Sequence, residues 1–251
     1  MAKLVALNSK AHKMLRVNTE KIAEHGADLH MIPVVVSEFL KLVVQFPILF
    51  SKSVETGHFV CVALMGFEEG ENLFWQNAQF NSIYTPLNIA RQPFFVGQDE
   101  YSGDDYVICI DLQSHALSEL PTEDKQELLF DQQGAASAYL QSAQSILAEL
   151  INGEQQTAQF IQILLTHNLL LPLSLDITFE DEQSCTVNGL YSVDEDKLAS
   201  LDGSVLSELN ASGWLQPIYT QLASLGQIYA LIDKKNRRNA QPSPWFKVQG
   251  E

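Results

Sequence analysis

Residue types that carry enzyme chemistry are present in this 251-residue chain, but their spacing defines no reaction. Metal ligands on one helix face often stand four residues apart. No pair has that spacing among the six histidines, which are His12, His25, His30, His58, His115 and His167. Ser114 and His115 could join an aspartate in a serine triad, but only their residue types favour it. The acidic pairs Glu68-Glu69 and Asp104-Asp105 are interpreted as solvated loop charge. We therefore assign no catalytic residue and no metal ligand, and we expect no cofactor.

Aromatic residues, glycines and prolines crowd into the stretch from Phe59 to Gly97. Such a mixture can build a shaped contact surface, because aromatic rings offer a large apolar area beside polar groups. We expect that surface within residues 66–97, formed by Glu68, Asn72, Trp75, Arg91, Phe94 and Phe95. Alternatively, the aromatic rings belong to the core and Arg91 pairs with a nearby carboxylate.

Strands and turns must position these side chains. The apolar run Phe59–Leu64 predicts a buried strand. Two glycines bracket an acidic turn over 66–70, and Leu73–Trp75 resumes a strand-like pattern, so the order predicts a hairpin with an acidic loop. Pro86 and Pro93 restrict the following stretch to an edge strand or an extended loop.

A helix is predicted upstream of this stretch, from Val34 to Phe46, because Pro33 is well placed to begin it. Most of its positions are apolar, apart from a narrow polar stripe that contains Glu38 and Lys41. We add Glu38 to the candidate binding residues. The alternative is that the stripe is ion-paired and partly exposed.

Periodicity organises the second half of the chain. A helix over 135–152 is predicted to end at Asn152-Gly153, because glycine commonly follows the last helical residue, and a second helix covers 154–167. Strict alternation over 173–193 predicts an antiparallel hairpin. A capping box at Ser192 and Glu195 begins a short helix, and two more helices follow, the last with an apolar face over 215–232. Its basic end either complements the helix dipole or offers a small patch to an acidic partner: Lys234, Lys235, Arg237 and Arg238.

Together these elements predict an α+β fold. Residues 1–120 form a β-rich N-terminal part with one buried helix, and residues 130–239 form an α+β part with helix-helix, antiparallel hairpin and C-terminal helices. A boundary is expected between about 113 and 133, and the alternative is a single domain. Residues 240–251, with two prolines, are expected to form a flexible tail that contains Trp245 and Phe246.

The composition narrows the choice of partners. A net charge of −16 opposes binding to nucleic acids and to anionic membranes. Three cysteines without a C-x-x-C motif favour reduced thiols. The N-terminus lacks the pattern of a secretory signal, and the longest apolar stretch, 32–50, contains Glu38, Lys41 and Gln45. We expect a cytoplasmic protein without membrane insertion that binds a protein or a small molecule, and we leave its oligomeric state open.

Several segments of the chain resemble one family: 30–41, 45–48, 59–97, 109–112, 129–131, 188–198 and 213–219. Over about residues 11–239 the chain is similar to the SapC family of bacterial proteins. The resemblance implies a link to surface layers, from the family's name, or to peptide transport, from the label of some members. It also implies proximity to outer-membrane receptors, halogenase-like flavoproteins and cupin-like hydroxylases, whose genes often lie nearby. It implies no catalytic residues.

Three functions remain open on these observations. The first is a non-enzymatic binding or adaptor protein, accessory to an outer-membrane uptake or peptide-modification system. The second is an enzyme or enzyme subunit acting on a peptide or a carbohydrate, in which Glu38, Arg91 or a histidine would carry the chemistry. The third is a structural component of a surface layer, which would require export and self-assembly.

Overall fold

The structure, a computed structural model, describes residues 3–53, 56–98, 106–121 and 125–240. It confirms an α+β fold. The strands are β1 Leu4–Ala6, β2 Arg16–Asn18, β3 Met31–Pro33, β4 Ile48–Lys52, β5 Phe59–Leu64, β6 Trp75–Gln76, β7 Gln79–Phe80, β8 Phe94–Gln98, β9 Tyr106–Asp111, β10 Leu117–Ser118, β11 Gln126–Leu128, β12 Leu170–Thr178 and β13 Ser184–Val193. The helices are α1 Phe39–Leu42, α2 Leu87–Ala90, α3 Ala138–Thr166, α4 Glu195–Ala199, α5 Gly203–Ala211, α6 Leu215–Ser224 and α7 Gln227–Asn239, and two 3₁₀ helices cover Thr19–Gly26 and Val36–Glu38.

The largest sheet has five antiparallel strands in the order β12-β13-β4-β5-β3. The hairpin predicted over 173–193 is confirmed as β12 and β13, which pair from Leu170 opposite Val193 to Thr178 opposite Ser184. The strands come from both sides of residues 113–133, so one sheet joins the two predicted parts. The division into domains stays a prediction.

Two smaller antiparallel sheets, in the orders β1-β9-β8 and β10-β2-β11, complete the N-terminal half with the β6-β7 hairpin. Strand β8 lies at an edge, as the prolines before it predict. The long helix α3 contacts both cores of the molecule. Its first turns pack Leu140 and Leu147 into the cluster that contains Phe94, and its last turns pack Phe160 and Leu164 against the five-stranded sheet. At 1.5 Å per residue its 29 residues span about 43 Å.

The prediction that a helix ends at Asn152-Gly153 is wrong, because α3 continues through both residues. Gly153 is buried inside α3, where the segment around Val35 packs closely against it. Tertiary packing therefore overrides the local signal for a helix end.

The buried helix predicted over 34–46 is much shorter, since α1 covers only Phe39–Leu42 after a 3₁₀ turn. The residues after Pro33 bind other elements instead. The N–H of Val34 donates to the Cys61 carbonyl and that of Val36 donates to Thr157 Oγ1, each at 2.9 Å. These bonds hold the segment extended against β5 and α3.

The hairpin predicted between 59–64 and 73–75 is wrong, because β5 pairs with β3 and β4, while β6 pairs with β7. The acidic loop folds onto α7 instead, through an ion pair between Glu71 and Lys235.

Two predictions near the C-terminus need smaller corrections. The last predicted helix divides into α6 and α7 at Leu225-Gly226, because Gln221 and Ser224 hydrogen-bond to the backbone of Ile48 and fix the end of α6 on β4. Helix α4 is capped by Asp194 rather than by the predicted Ser192. Residues Asp104 and Asp105, and the predicted tail from residue 241 onward, lie outside the described residues.

Candidate functional site

The side chain of Glu38, one of the predicted binding residues, is buried and joins two segments of the backbone. Its carboxylate accepts hydrogen bonds from the N–H of Val35 at 3.0 Å, the N–H of Leu87 at 2.8 Å and the hydroxyl of Tyr84 at 3.0 Å. Burial raises the pKa of Glu38, and the three donors oppose that rise. Lys41, its expected neighbour in the polar stripe, pairs instead with Glu149 at 3.4 Å.

Asn72 and Phe94 also lie inside the protein. Asn72 donates from Nδ2 to the Gly26 carbonyl at 2.7 Å and accepts from the N–H of Phe74 at 2.8 Å. Phe94 has no exposed surface and packs against Tyr139. These two side chains hold loops and core in place.

Glu68 and Trp75 both lie beside the basic end of α7. Glu68 pairs with Lys235 at 3.3 Å. Trp75 lines a pocket of about 380 Å³ with Gln76, Asn77, Lys234, Arg237 and Arg238. Most of these cations already have acidic partners, because Arg237 pairs with Asp233 and Arg238 lies 4.0 Å from Glu71.

The side chains of Arg91 and Phe95, two of the predicted site residues, lie in direct contact. The guanidinium carbon of Arg91 lies 4.2 Å from the centre of the Phe95 ring. Both line a cavity of about 290 Å³, here called the Arg91 cavity, whose wall on α3 contains Leu147, Leu150, Ile151 and Glu154.

Three further cavities follow along α3. A central cavity of about 250 Å³ shares Asn88 and Glu154 with the Arg91 cavity. An open cavity of about 530 Å³ shares Ala158 with the central one, and the Trp214 cavity, of about 450 Å³, shares Gln159 and Trp214 with the open one. We call this row of four cavities the α3 groove.

The helical repeat places the floor of the groove on one side of α3. Leu147, Ile151, Glu154, Ala158 and Gln162 follow one another at intervals of three or four residues, which brings them to one face of a helix. Ala158 is exposed and lines both the central and the open cavity. Because its side chain is only a methyl group, the floor of the groove is low at this point. From Leu147 to Ile163 the groove spans about 24 Å.

Trp214 forms the wall between the two cavities at the far end of the groove. Gly213, with φ 78°, ends α5 in a Schellman motif: its N–H donates to the Asn210 carbonyl and the N–H of Trp214 donates to the Leu209 carbonyl. The indole ring stacks on Phe160 with 5.7 Å between ring centroids. The turn therefore holds a half-buried aromatic ring at the mouth of the groove.

The serine–histidine chemistry left open by the sequence has a different geometry. Ser114 Oγ lies 3.0 Å from Nε2 of His25, while His115 stacks on His25 and pairs with Glu24 at 2.8 Å. These residues line none of the cavities described above. Within the described parts of the chain, no three side chains of the metal-ligating types gather as a metal site.

Comparison with known proteins supports the resemblance seen in the sequence. The family model of SapC matches residues 7–231 of the 251-residue chain. The chain belongs to the SapC family. No curated protein and no solved structure matches it significantly. In the part that the structure describes, no helix is both long and apolar enough to cross a lipid bilayer.

The α3 groove lies within the range matched by the SapC model, and two of the segments on which the resemblance rests, 30–41 and 213–219, meet at the Trp214 cavity. The groove residues that sequence reasoning missed include Gln156, Ala158, Gln159, Gln162, Trp214 and Gln216. The Gly213-Trp214 pair after a helix was the available local signal. The rest was hidden because the walls come from segments far apart in the chain.

Proposed function

We propose that this SapC-family protein is a binding or adaptor protein that holds an extended peptide segment of a partner protein in the α3 groove. The observation that carries the proposal is the position of Trp214, which lies between two cavities that open to solvent. A partly exposed tryptophan held by a rigid turn is typical of the aromatic anchors that dominate protein interfaces.

The dimensions of the groove favour a peptide. An extended chain rises about 3.3 Å per residue, so roughly seven residues would cover about 24 Å. Small molecules are usually enclosed in one concave pocket, whereas here four cavities follow one another along a helix.

The lining also favours a peptide. Gln156, Gln159, Gln162 and Gln216 offer amide donors and acceptors that match the peptide N–H and C=O groups. Among the described residues that line these four cavities, the charged ones are Arg91 and Glu154. A largely uncharged lining in so acidic a chain favours a partner segment that is itself mostly uncharged.

We place this function in the cytoplasm, in a complex that serves outer-membrane uptake or peptide modification. The three cysteines are free, which fits a reducing compartment. The link to uptake or modification rests on the family resemblance. Recovery of the protein outside the cytoplasm on cell fractionation would contradict the location.

The test is site-specific photo-crosslinking in the protein's own host. A photo-reactive amino acid replaces Gln159 or Gln162 in the groove, and Gln133 provides the control. Gln133 is exposed and precedes α3, whose first residue, Ala138, lies about 32 Å from Gln159 along the helix axis. We expect both groove positions to crosslink to the same segment of one protein, and the control position not to do so.

Two groove variants and one control variant sharpen this test. Ala158→Arg fills the low point of the groove without removing a buried contact, and Gln133→Arg adds the same charge elsewhere. Trp214→Ala removes the anchor, and hot-spot side chains of this kind contribute about 2 kcal/mol or more, roughly thirtyfold in affinity. Equal crosslinking at Gln133 and Gln159, or crosslinking unchanged by Ala158→Arg, would overturn the proposal.

A further inference from the structure

Arg91 is a largely buried cation, and within the described residues its hydrogen bonds leave part of its guanidinium unused. Its Nε donates to Asn88 Oδ1 and its Nη1 donates to the Phe94 carbonyl, each at 2.8 Å. Both acceptors are neutral. Among the described residues no carboxylate lies within 4.0 Å of Arg91, and Nη2 has no hydrogen-bond partner there.

Such a group is unusual because buried charges in proteins are normally paired. Burial lowers the pKa of Arg91, which reflects the cost of removing the guanidinium from water, while the charge of Glu154 opposes that change. Arg91 nevertheless remains protonated near neutral pH, since the ordinary pKa of an arginine lies far above that range. The cation is therefore retained in a place where an anion would stabilise it.

The surroundings of Arg91 define the shape of that anion. The ring of Phe95 covers one face of the guanidinium, so a ligand can approach only in its plane or from the other face. The cavity of about 290 Å³ continues past Arg91 along an apolar wall formed by Leu147, Leu150 and Ile151. A planar anion attached to an apolar group matches both parts.

We infer that the Arg91 cavity binds the carboxylate of an apolar C-terminal residue, with the carboxylate on the guanidinium of Arg91 and the side chain against α3. Arginine pairs with carboxylates through parallel N–H···O bonds, and Nη2, which has no hydrogen-bond partner among the described residues, can supply one of them. The inference rests on the proposed function in one respect: the residues before this C-terminus lie in the α3 groove.

A free amino acid carries the same carboxylate and side chain, and Glu154 distinguishes the two sources. It lines the Arg91 cavity and the central cavity. A free α-ammonium group would be attracted to Glu154. A peptide has an amide at that atom, and its chain would continue past Glu154 towards Ala158.

The experiment uses three small probes and the full chain. N-acetyl-leucine has the carboxylate alone, N-acetyl-leucinamide has neither charge, and leucine has both. Binding is followed by NMR on the Nε–H signal of Arg91, with sodium acetate as a control for unspecific anion binding. Ligands of this size bind at roughly millimolar concentration when each non-hydrogen atom contributes about 0.3 kcal/mol.

We expect the titration of the Arg91 signal to give N-acetyl-leucine a dissociation constant at least tenfold lower than that of acetate or N-acetyl-leucinamide. If leucine binds more tightly than N-acetyl-leucine, the cavity binds a carboxylate, but that of a free amino acid. This result would overturn the link to a peptide. Equal binding of the acid and the amide, or no shift of Arg91 with either, overturns the site itself.

Two variants separate binding from folding. Arg91→Lys keeps the charge but loses the parallel pair of N–H donors that a guanidinium offers to a carboxylate. It should therefore weaken N-acetyl-leucine binding about tenfold. Ile151→Trp fills the cavity while leaving Arg91 and its hydrogen bonds intact, and it should abolish binding. Crosslinking at Gln159 and Gln162 tests the other end of the groove, so a failure at Arg91 and a failure of the proposed function give different results.

Discussion

Gly153 lies so close to Val35 that a methyl group on its Cα would stand 2.6 Å from Val35 Cγ2. One turn later, Thr157 Oγ1 donates to the Gly153 carbonyl at 2.6 Å and accepts the N–H of Val36 at 2.9 Å. Gly153 and Thr157 thus form a notch in α3 that receives the segment 35–36. This notch fixes Val35, which lines the central cavity, against α3.

The first prediction concerns this notch. In an unhindered helix, Gly→Ala stabilises by about 1 kcal/mol, but here the added methyl group meets the backbone-proximal atoms of Val35. We expect Gly153→Ala to lower the free energy of unfolding by about 1–3 kcal/mol, the usual cost of overpacking. Urea unfolding followed by circular dichroism measures it.

Gly203 in α5 supplies the matched control, because a methyl group there meets no atom within 4 Å. Gly203→Ala should leave stability unchanged or raise it slightly. The double variant Gly153→Ala/Val35→Ala should lose less stability than the sum of the losses in the two single variants. Val35→Ala removes the atoms that the new methyl group on residue 153 would meet. An increase in stability with Gly153→Ala alone would contradict the close contact.

The second prediction concerns Glu38. All three of its partners are donors, so a glutamine there would turn its own NH₂ group towards a backbone N–H. We expect Glu38→Gln to destabilise by about 1–3 kcal/mol, the cost of leaving a buried donor unsatisfied. Tyr84→Phe removes a single donor and should cost less. A Glu38→Gln protein as stable as the Tyr84→Phe protein would show that the carboxylate is not needed.

The third prediction concerns the turn that holds Trp214. Gly213 has φ 78°, where a side chain costs about 1–2 kcal/mol, although nothing near it would clash with a methyl group. We expect Gly213→Ala to lower stability by that amount. We also expect a shift in the fluorescence emission of Trp214, because the Schellman turn sets its position. Gly203→Ala again provides the control, and unchanged emission in both variants would mean that the turn does not position the ring.

These contacts explain how much of the fold the sequence predicts. The hairpin of β12 and β13 was predictable because Leu173, Leu175 and Ile177 alternate with polar residues, which is a local pattern. The helix end at Gly153 was predicted wrongly because its partner is distant: the bond from Val36 to Thr157 joins residues 121 positions apart. A single sequence does not record which of its segments will meet.

The same reasoning applies to the candidate site. Arg91 and Phe95 were predicted together and lie in contact, because they are near neighbours in the chain. Trp75 was predicted with them but lies in the basic pocket beside α7, and Glu38, Asn72 and Phe94 are buried. The crowding of unusual residue types into one stretch was visible in the sequence. The tertiary fold determines which of those residues share a surface.

The last prediction concerns pH. Burial lowers the pKa of His25, as does the charge of the stacked His115, and Asp111 and Glu24 oppose this change. The unfolded chain, with an ordinary pKa near 6.5, therefore takes up this proton at a higher pH than the folded protein does. Stability from this group is present above pH 6.5 and is lost as the pH falls through that value towards the lower pKa of the folded state.

We expect the free energy of unfolding to fall between pH 7.5 and pH 5.5, and to fall less in His25→Gln, whose side chain can still hydrogen-bond to Ser114. His167→Gln, at the end of α3, controls for the loss of a histidine elsewhere. Urea unfolding of the three proteins at both pH values provides the measurement. If His25→Gln loses as much stability as the wild type, the acid sensitivity arises elsewhere, and the His25–Ser114 contact then serves only to fix the loop before β10 to the 3₁₀ helix at Thr19–Gly26.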